Sequence, residues 1–420
     1  MSRPEQFALF VIHGLVILSV VPWRTNDLYS GGLDPVVVSK AIVGVAALVF
    51  AFLFHRSRTV RGELGPRTIV LLVGIVLVSV LGALAAGGAG PDIVLAVRLL
   101  ITAATIVLTV RSAPGVDVIA TILAGMGAIA IVAGVTGGVH LAAGERLSGG
   151  IPQMQANVLA GLAAGPAIAL GSLIFARGIR LWSLVMFFVF VALIFATGSR
   201  TALAVVLVGV VVAFLSAGRL PISTVVATIA VFPFAYAVVA FTNTVANLFS
   251  RGESISQIAT LNSRTVAWEA VLATPFDSWA KWIGVGLAAQ TVAVQQKWRD
   301  IQVLDSSWVS VIAQAGIIGT LLLIIWMVAT GMESLRNTQL TALTTPLFVM
   351  LFVRSFTENG LIESSPTFVL FFAVSMILEQ RTRFPSRRLE IRRYRLATLL
   401  PISSRELQPV TAMDSADTSE

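Results

Sequence analysis

Apolar runs of about 20 residues follow one another along this chain, and each is long enough to cross a bilayer as a helix. The longest, "LWSLVMFFVFVALIFATGSRTALAVVLVGVVVAFLSAG" at 181–218, carries Arg200 as its single charge. It is too long for one span and must turn once. Its turn signal is "TGSR", with Gly198 as breaker and Ser199 as helix N-cap. Hydropathy places spans near 7–22, 36–54, 68–86, 92–110, 116–139, 156–176, 180–197, 200–217, 222–242, 308–330, 339–354 and 361–379. Only 12% of the residues are charged, against roughly 25% in soluble domains. The expected fold class is all-α: a polytopic integral membrane protein of about 12 transmembrane helices, with a large outer loop carrying short helices.

Arginines set the orientation. Arg56, Arg58, Arg61 and Arg67 crowd one loop, and Arg111, Arg177, Arg180, Arg219 and Arg336 mark every second loop after it. With the basic stretch Arg381–Arg395, this places both termini in the cytoplasm. The first span reads as a retained anchor, because no small-residue cleavage site follows it. Residues 1–380 form the transmembrane unit, with the outer-face loop 243–307 within it. Residues 381–420 read as a basic, then disordered, cytoplasmic tail. The loop 243–307 is rich in Trp, which suits a segment lying on the outer leaflet. The net charge of +8 follows from these loop arginines, and no interleaved basic and aromatic module suggests nucleic acid. The chain has no Cys, which removes disulfides and thiolate chemistry.

Five arginines break the sidedness rule. Arg200 begins a helix on the outer side, where unpaired N–H groups already favour an anion and a guanidinium fork matches phosphate. "SRT" returns at 263–265, with Asn262 or Ser263 as cap and Arg264 at the first helical position. Arg146 lies just before the sixth span, Arg354 closes the eleventh, and Arg98 sits inside the fourth, where charge is costly and usually functional. One such Arg could snorkel to headgroups. Five on one face point to a site for a membrane-borne phosphate.

Three blocks carry a family resemblance: "ATGSRTALAVVLVG", "NSRTVAWEAVLATPFDSWAKWIGVGLA" and "DSSWVSVIAQAGIIGTLLLI", with "RLSGGIPQMQANVLAGLA" upstream. Their order and spacing resemble the O-antigen ligase and O-antigen polymerase membrane proteins. The resemblance covers residues 146 to 320, and includes the Gly284–Gly286 turn and the Gly316–Gly319 pair. It implies a multi-helix glycosyltransferase of the bacterial cytoplasmic (inner) membrane. The donor would be a glycan on a polyprenyl pyrophosphate, the acceptor a glycan or glycolipid, and no cofactor would be used. Arg200 and Arg264 match the helix-start and outer-loop arginines; Arg146 and Asn157 match the upstream block. Asp305 stands where ligase-type members carry His, and Ser306 where an Asn is common. Ligase and polymerase both stay open.

Breaking a sugar–pyrophosphate bond needs the leaving charge stabilised and an acceptor hydroxyl deprotonated. Arg200 and Arg264 suit the first task, supported by Arg98, Arg146 and Arg354. Asp305 is the candidate base, or simply the N-cap of the tenth span. His140 is the second candidate base, and Glu358 either contacts substrate or pairs with Arg354. The three His residues are scattered and there is no Asp-x-Asp, so no metal site is expected. The alternative is a secondary transporter or lipid-linked glycan flippase; a non-catalytic assembly subunit is a third reading.

Overall fold

The computed structural model describes residues 1–24, 34–59, 61–217, 264–296, 299–337 and 340–380. In chain order the helices are α1 (Arg3–Val20), α2 (Pro35–Arg56), α3 (Arg67–Ala85), α4 (Gly90–Ser112), α5 (Gly115–Thr136), the short α6 (Gly138–Ala142), α7 (Ala156–Arg177), α8 (Leu181–Thr197) and α9 (Arg200–Ser216). After the undescribed stretch come α10 (Arg264–Leu272), α11 (Trp279–Ile283), strands β1 (Thr291–Gln296) and β2 (Arg299–Val303), then α12 (Ser307–Arg336), α13 (Thr341–Thr357) and α14 (Pro366–Leu378).

Seven of these helices, α1 to α5, α7 and α12, are long and apolar enough to cross a membrane; α8, α9, α13 and α14 are shorter apolar helices. The chain is mostly helical and has the character of an all-α polytopic membrane protein. The expected span at 222–242, the caps Asn262 and Ser263, and the tail 381–420 lie outside the described residues.

The bundle is built around two buried helices of different composition. On α7, Ala160, Gly161, Ala163, Ala164, Gly165 and Ala167 are all buried, and small side chains let neighbouring helices approach closely. On α14 every residue from Phe368 to Leu378 is buried. Phe371 and Phe372 pack against the ring of Trp326 on α12, whose Nε1 donates to Ser375 Oγ at 3.0 Å. By contrast α2 is the least buried of the long helices.

The end of the bundle rich in Arg loops is tied by carboxylates. Arg67 makes a bidentate pair with Glu333 of α12 at 2.7 and 2.9 Å. Glu379, just past α14, accepts from the backbone N–H groups of Arg67 and Thr68 at 2.7 and 3.0 Å. It caps α3 from a distance of 312 residues along the chain, since Pro66 at the N-cap position supplies no side-chain acceptor. Glu379→Ala should therefore lower stability by about 1–2 kcal/mol, read as a drop in the thermal midpoint of the detergent-purified protein. An unchanged midpoint would mean that water caps α3 equally well.

The "TGSR" turn lies where the sequence put it. Gly198 ends α8 in the left-handed conformation and Ser199 is the N-cap of α9, although its side chain makes no capping bond. The segment 264–303 departs from an all-helical expectation. It adds an antiparallel hairpin in which Val292 faces Gln302 and Ala293 faces Ile301. Val292, Val294 and Gln302 turn inward while Thr291, Ala293, Ile301 and Val303 are exposed, the period-two pattern of a half-buried strand. Ala267 and Val271 of α10 pack with Leu304 and Val309 into a small core against the start of α12. Phe276, Trp279 and Trp282 stay exposed, as expected of a loop at a membrane interface.

Helix α12 is broken at Gly316, where φ is +64°. The break exposes carbonyls that the Gly284–Gly286 turn fills: Val285 N–H donates to Ala313 at 2.9 Å and Gly286 N–H to Gln314 at 3.1 Å. A Cβ on Gly316 would enter the Trp282 backbone, and one on Gly284 would enter that of Gln314. The two glycine motifs are therefore one backbone-to-backbone joint, which sets the direction of the first half of α12 and of Asp305 before it.

Candidate functional site

Several chain segments converge on one cavity of about 310 Å³. The segment after α1 contributes Arg24, and the second turn of α2 and the third turn of α4 contribute Lys40 and Arg98. Gly161 comes from α7, Asp305 from the approach to α12, Arg354 and Glu358 from the end of α13, and Glu363 from the loop before α14. Four cationic side chains thus share a small volume with three carboxylates. Arg24 is partly answered elsewhere, by Asp34 at 3.0 Å.

Hydrogen bonds between helix ends hold the carboxylates in place. Ser306 donates to the Ser355 carbonyl at 3.3 Å, Ser307 to the Glu358 carbonyl at 2.9 Å, and Trp308 Nε1 to Ser355 Oγ at 2.9 Å. The start of α12 is thereby stitched to the end of α13. Ser306, not Asp305, occupies the N-cap position of α12, so the capping role considered for Asp305 does not hold. Asp305 lines the cavity instead.

Arg354 is enclosed by protein, and its Nε is buried with no hydrogen-bond partner among the described residues. Both Nη atoms lie over Gly161, so closely that a Cβ on that glycine would collide with the guanidinium. Gly161 is thus the gap in α7 that admits the arginine. Glu358, one turn further on, acts electrostatically on Arg354.

Glu363 is the carboxyl that sequence reading passed over. Helix α14 begins at Pro366 rather than at 361, which leaves Glu363 in the preceding loop. Its Oε1 accepts from Gln314 Nε2 at 3.0 Å and from Asn359 Nδ2. Those bonds favour the carboxylate, but burial outweighs them and pushes the carboxyl above the ordinary Glu range. Lys40, on the bundle-facing side of α2, was missed as well. Both had an available signal. Each lies inside a run read as a span, where an ionisable residue is functional by default, the same argument that singled out Arg98.

Of the residues expected at the site, Arg98, Asp305, Arg354 and Glu358 line the cavity. Arg98 also donates from Nη2 to the Ser19 carbonyl at 3.3 Å. Arg146 and Asn157 form a neighbouring cluster, with Arg146 Nη2 donating to Asn157 Oδ1 at 3.1 Å and Nε to the Thr197 carbonyl at 2.8 Å. They brace the turn from which Arg200 starts α9; Arg200 itself is half-buried. Arg264 opens α10, and its side chain lies outside the described residues. His140 sits in α6 and pairs with Glu145 at 3.1 Å, away from the cavity lining. Among the described residues no three His, Asp or Glu side chains are grouped to hold a metal ion. What the arrangement can do is bind an anion among fixed cations while carboxylates wait beside it. Comparison of the chain with protein-family models and with curated proteins finds no match to either.

Proposed function

We propose that this protein is a membrane glycosyltransferase of the O-antigen ligase or polymerase type. It moves a glycan from a polyprenyl pyrophosphate to an acceptor hydroxyl. The observation that carries the reading is the cavity that brings Arg98 and Arg354 together with Asp305, Glu358 and Glu363. Cations held in a low-dielectric enclosure stabilise charge far better than in water, which suits a pyrophosphate leaving group. The acceptor oxygen attacks the anomeric carbon, the carbon–oxygen bond to pyrophosphate breaks, and its electron pair leaves with the pyrophosphate. The proton of the acceptor hydroxyl passes to a cavity carboxylate. The products are the extended acceptor and free polyprenyl pyrophosphate.

In this reading the chain spans the bacterial cytoplasmic membrane twelve times with both termini inside. The cavity then opens at the outer face, since the basic loops gather at the opposite end of the helices. Arg200 and Arg264 guide the donor's pyrophosphate. The test is transfer by the purified protein from a polyprenyl-pyrophosphate-linked glycan to a glycan or glycolipid acceptor. Arg200→Ala and Arg264→Ala should each lose about tenfold or more in kcat/KM, the worth of one charge-assisted contact. Absence of transfer together with absence of donor binding to wild type would sink the reading.

A further inference from the structure

A second cavity, of about 500 Å³, lies between α2 and α4. Its walls are almost wholly apolar, with Val38, Ala41, Ile42 and Val45 on one side and Val97 and Ile101 on the other. Val38, Ile42, Val45 and Val97 are exposed at the bundle surface, so the groove opens sideways toward the surrounding hydrocarbon. Its size falls within the roughly 300–1,000 Å³ of ligand sites. At one end it shares Val37, Lys40, Arg98 and Ser364 with the polar cavity. The two spaces therefore adjoin at these residues, one apolar along α2 and α4 and the other lined by cations and carboxylates.

We propose that the α2–α4 groove seats the hydrocarbon chain of the lipid whose phosphate head occupies the polar cavity. This rests on the lipid-linked donor proposed above, and names where its tail lies. Three features favour that occupant. The groove is too apolar to hold ordered water or sugar. It is open along its length on the peripheral helix α2, as a long flexible chain requires. At the junction Lys40 and Arg98 face the point where an amphiphile changes from tail to phosphate, so charge and hydrophobicity change together as they do in the lipid. Charged side chains inside apolar helices mark functional positions in a membrane.

Gly44 provides the test, because it lines the groove and its missing Cβ would stand at 3.7 Å from Ser19 and 4.0 Å from Ile101, ordinary contact distances. Gly44→Leu extends a branched side chain into that space. The probes are a long-chain polyprenyl pyrophosphate and inorganic pyrophosphate, titrated against wild type and Gly44→Leu. Gly44→Leu is expected to weaken the long-chain ligand about tenfold or more, through lost burial of methylenes. Its inorganic pyrophosphate binding should match wild type. Equal long-chain affinity in wild type and Gly44→Leu overturns the groove assignment, and leaves the head site standing if pyrophosphate still competes. Wild type that binds neither probe overturns the transferase reading and the groove with it. Should Gly44→Leu not fold, wild type labelled with a tail-diazirine polyprenyl pyrophosphate decides the matter. Cross-links on α2 and α4 support the groove, and cross-links confined to other helices overturn it.

Discussion

Arg354→Ala is expected to lower kcat/KM for glycan transfer by about 10²–10³, the cost of removing one preorganised donor from a developing anion. The loss should come without unfolding. Arg354 is seated by shape: its Nη atoms lie over Gly161, and among the described residues its buried Nε has no hydrogen-bond partner. A guanidinium that the protein leaves incompletely bonded costs free energy. Phosphate oxygens entering the cavity would recover it. Arg354→Lys keeps the charge and loses the planar fork, so it should fall between wild type and Ala. Gly161→Ala approaches the same question from the other side. Its methyl occupies the volume of the guanidinium and must displace it, and transfer should fall about tenfold or more although no ionisable group has changed. Donor titration, transfer assays and thermal midpoints on the three variants separate binding, turnover and folding. Wild-type transfer in Arg354→Ala would show that the cavity is not where the pyrophosphate leaves.

Hydropathy made the helices legible because length and continuity of an apolar run are enough to mark a segment that can cross a bilayer. The same signal says little about position in the bundle. Helices α8 and α14 look alike in composition, yet Leu181, Trp182 and Phe188 of α8 are exposed while α14 is buried on every side. In a membrane both surroundings are apolar, so burial leaves no periodic trace. The hairpin 291–303 was missed because alternation over five or six residues is a weak pattern beside Trp-rich helices. The glycine motifs stood out in the sequence, but their meaning did not. That Gly284 and Gly316 face one another needs the distance between two chain segments, which a linear pattern does not contain.

The site was legible where cost could be read from one position. Arg98 and Arg354 drew attention because an arginine within or closing an apolar run demands a reason. Asp305 was noticed through its place before α12, and the cavity gives it a different neighbourhood from the helix cap it resembled. Gly161 could not be read as functional, since its role is to be absent where a guanidinium passes. Gln314 looked like an ordinary helix residue, and its side chain acquires a role through its bond to Glu363 across two elements.

Glu363→Gln is expected to reduce kcat by about 10²–10⁴, the usual worth of a positioned base, with donor affinity unchanged. The burial that raises the Glu363 carboxyl above the ordinary range also makes its carboxylate a stronger base. Gln314 and Asn359 both donate to Oε1, which fixes the group and leaves Oε2 as the atom to receive a proton. A base works only when deprotonated. Transfer should therefore rise with pH through that raised value, and fall away as the pH drops below it. Glu363→Gln keeps the shape and removes both the base and this acid limb. Asp305→Asn should behave differently if Asp305 orients the acceptor hydroxyl rather than taking its proton: KM for the acceptor rises, kcat falls less, and the acid limb stays where it is in wild type. A kcat–pH series on the three proteins decides between the two carboxylates. Loss of the acid limb in Asp305→Asn with its retention in Glu363→Gln would reverse the roles and return the base to Asp305.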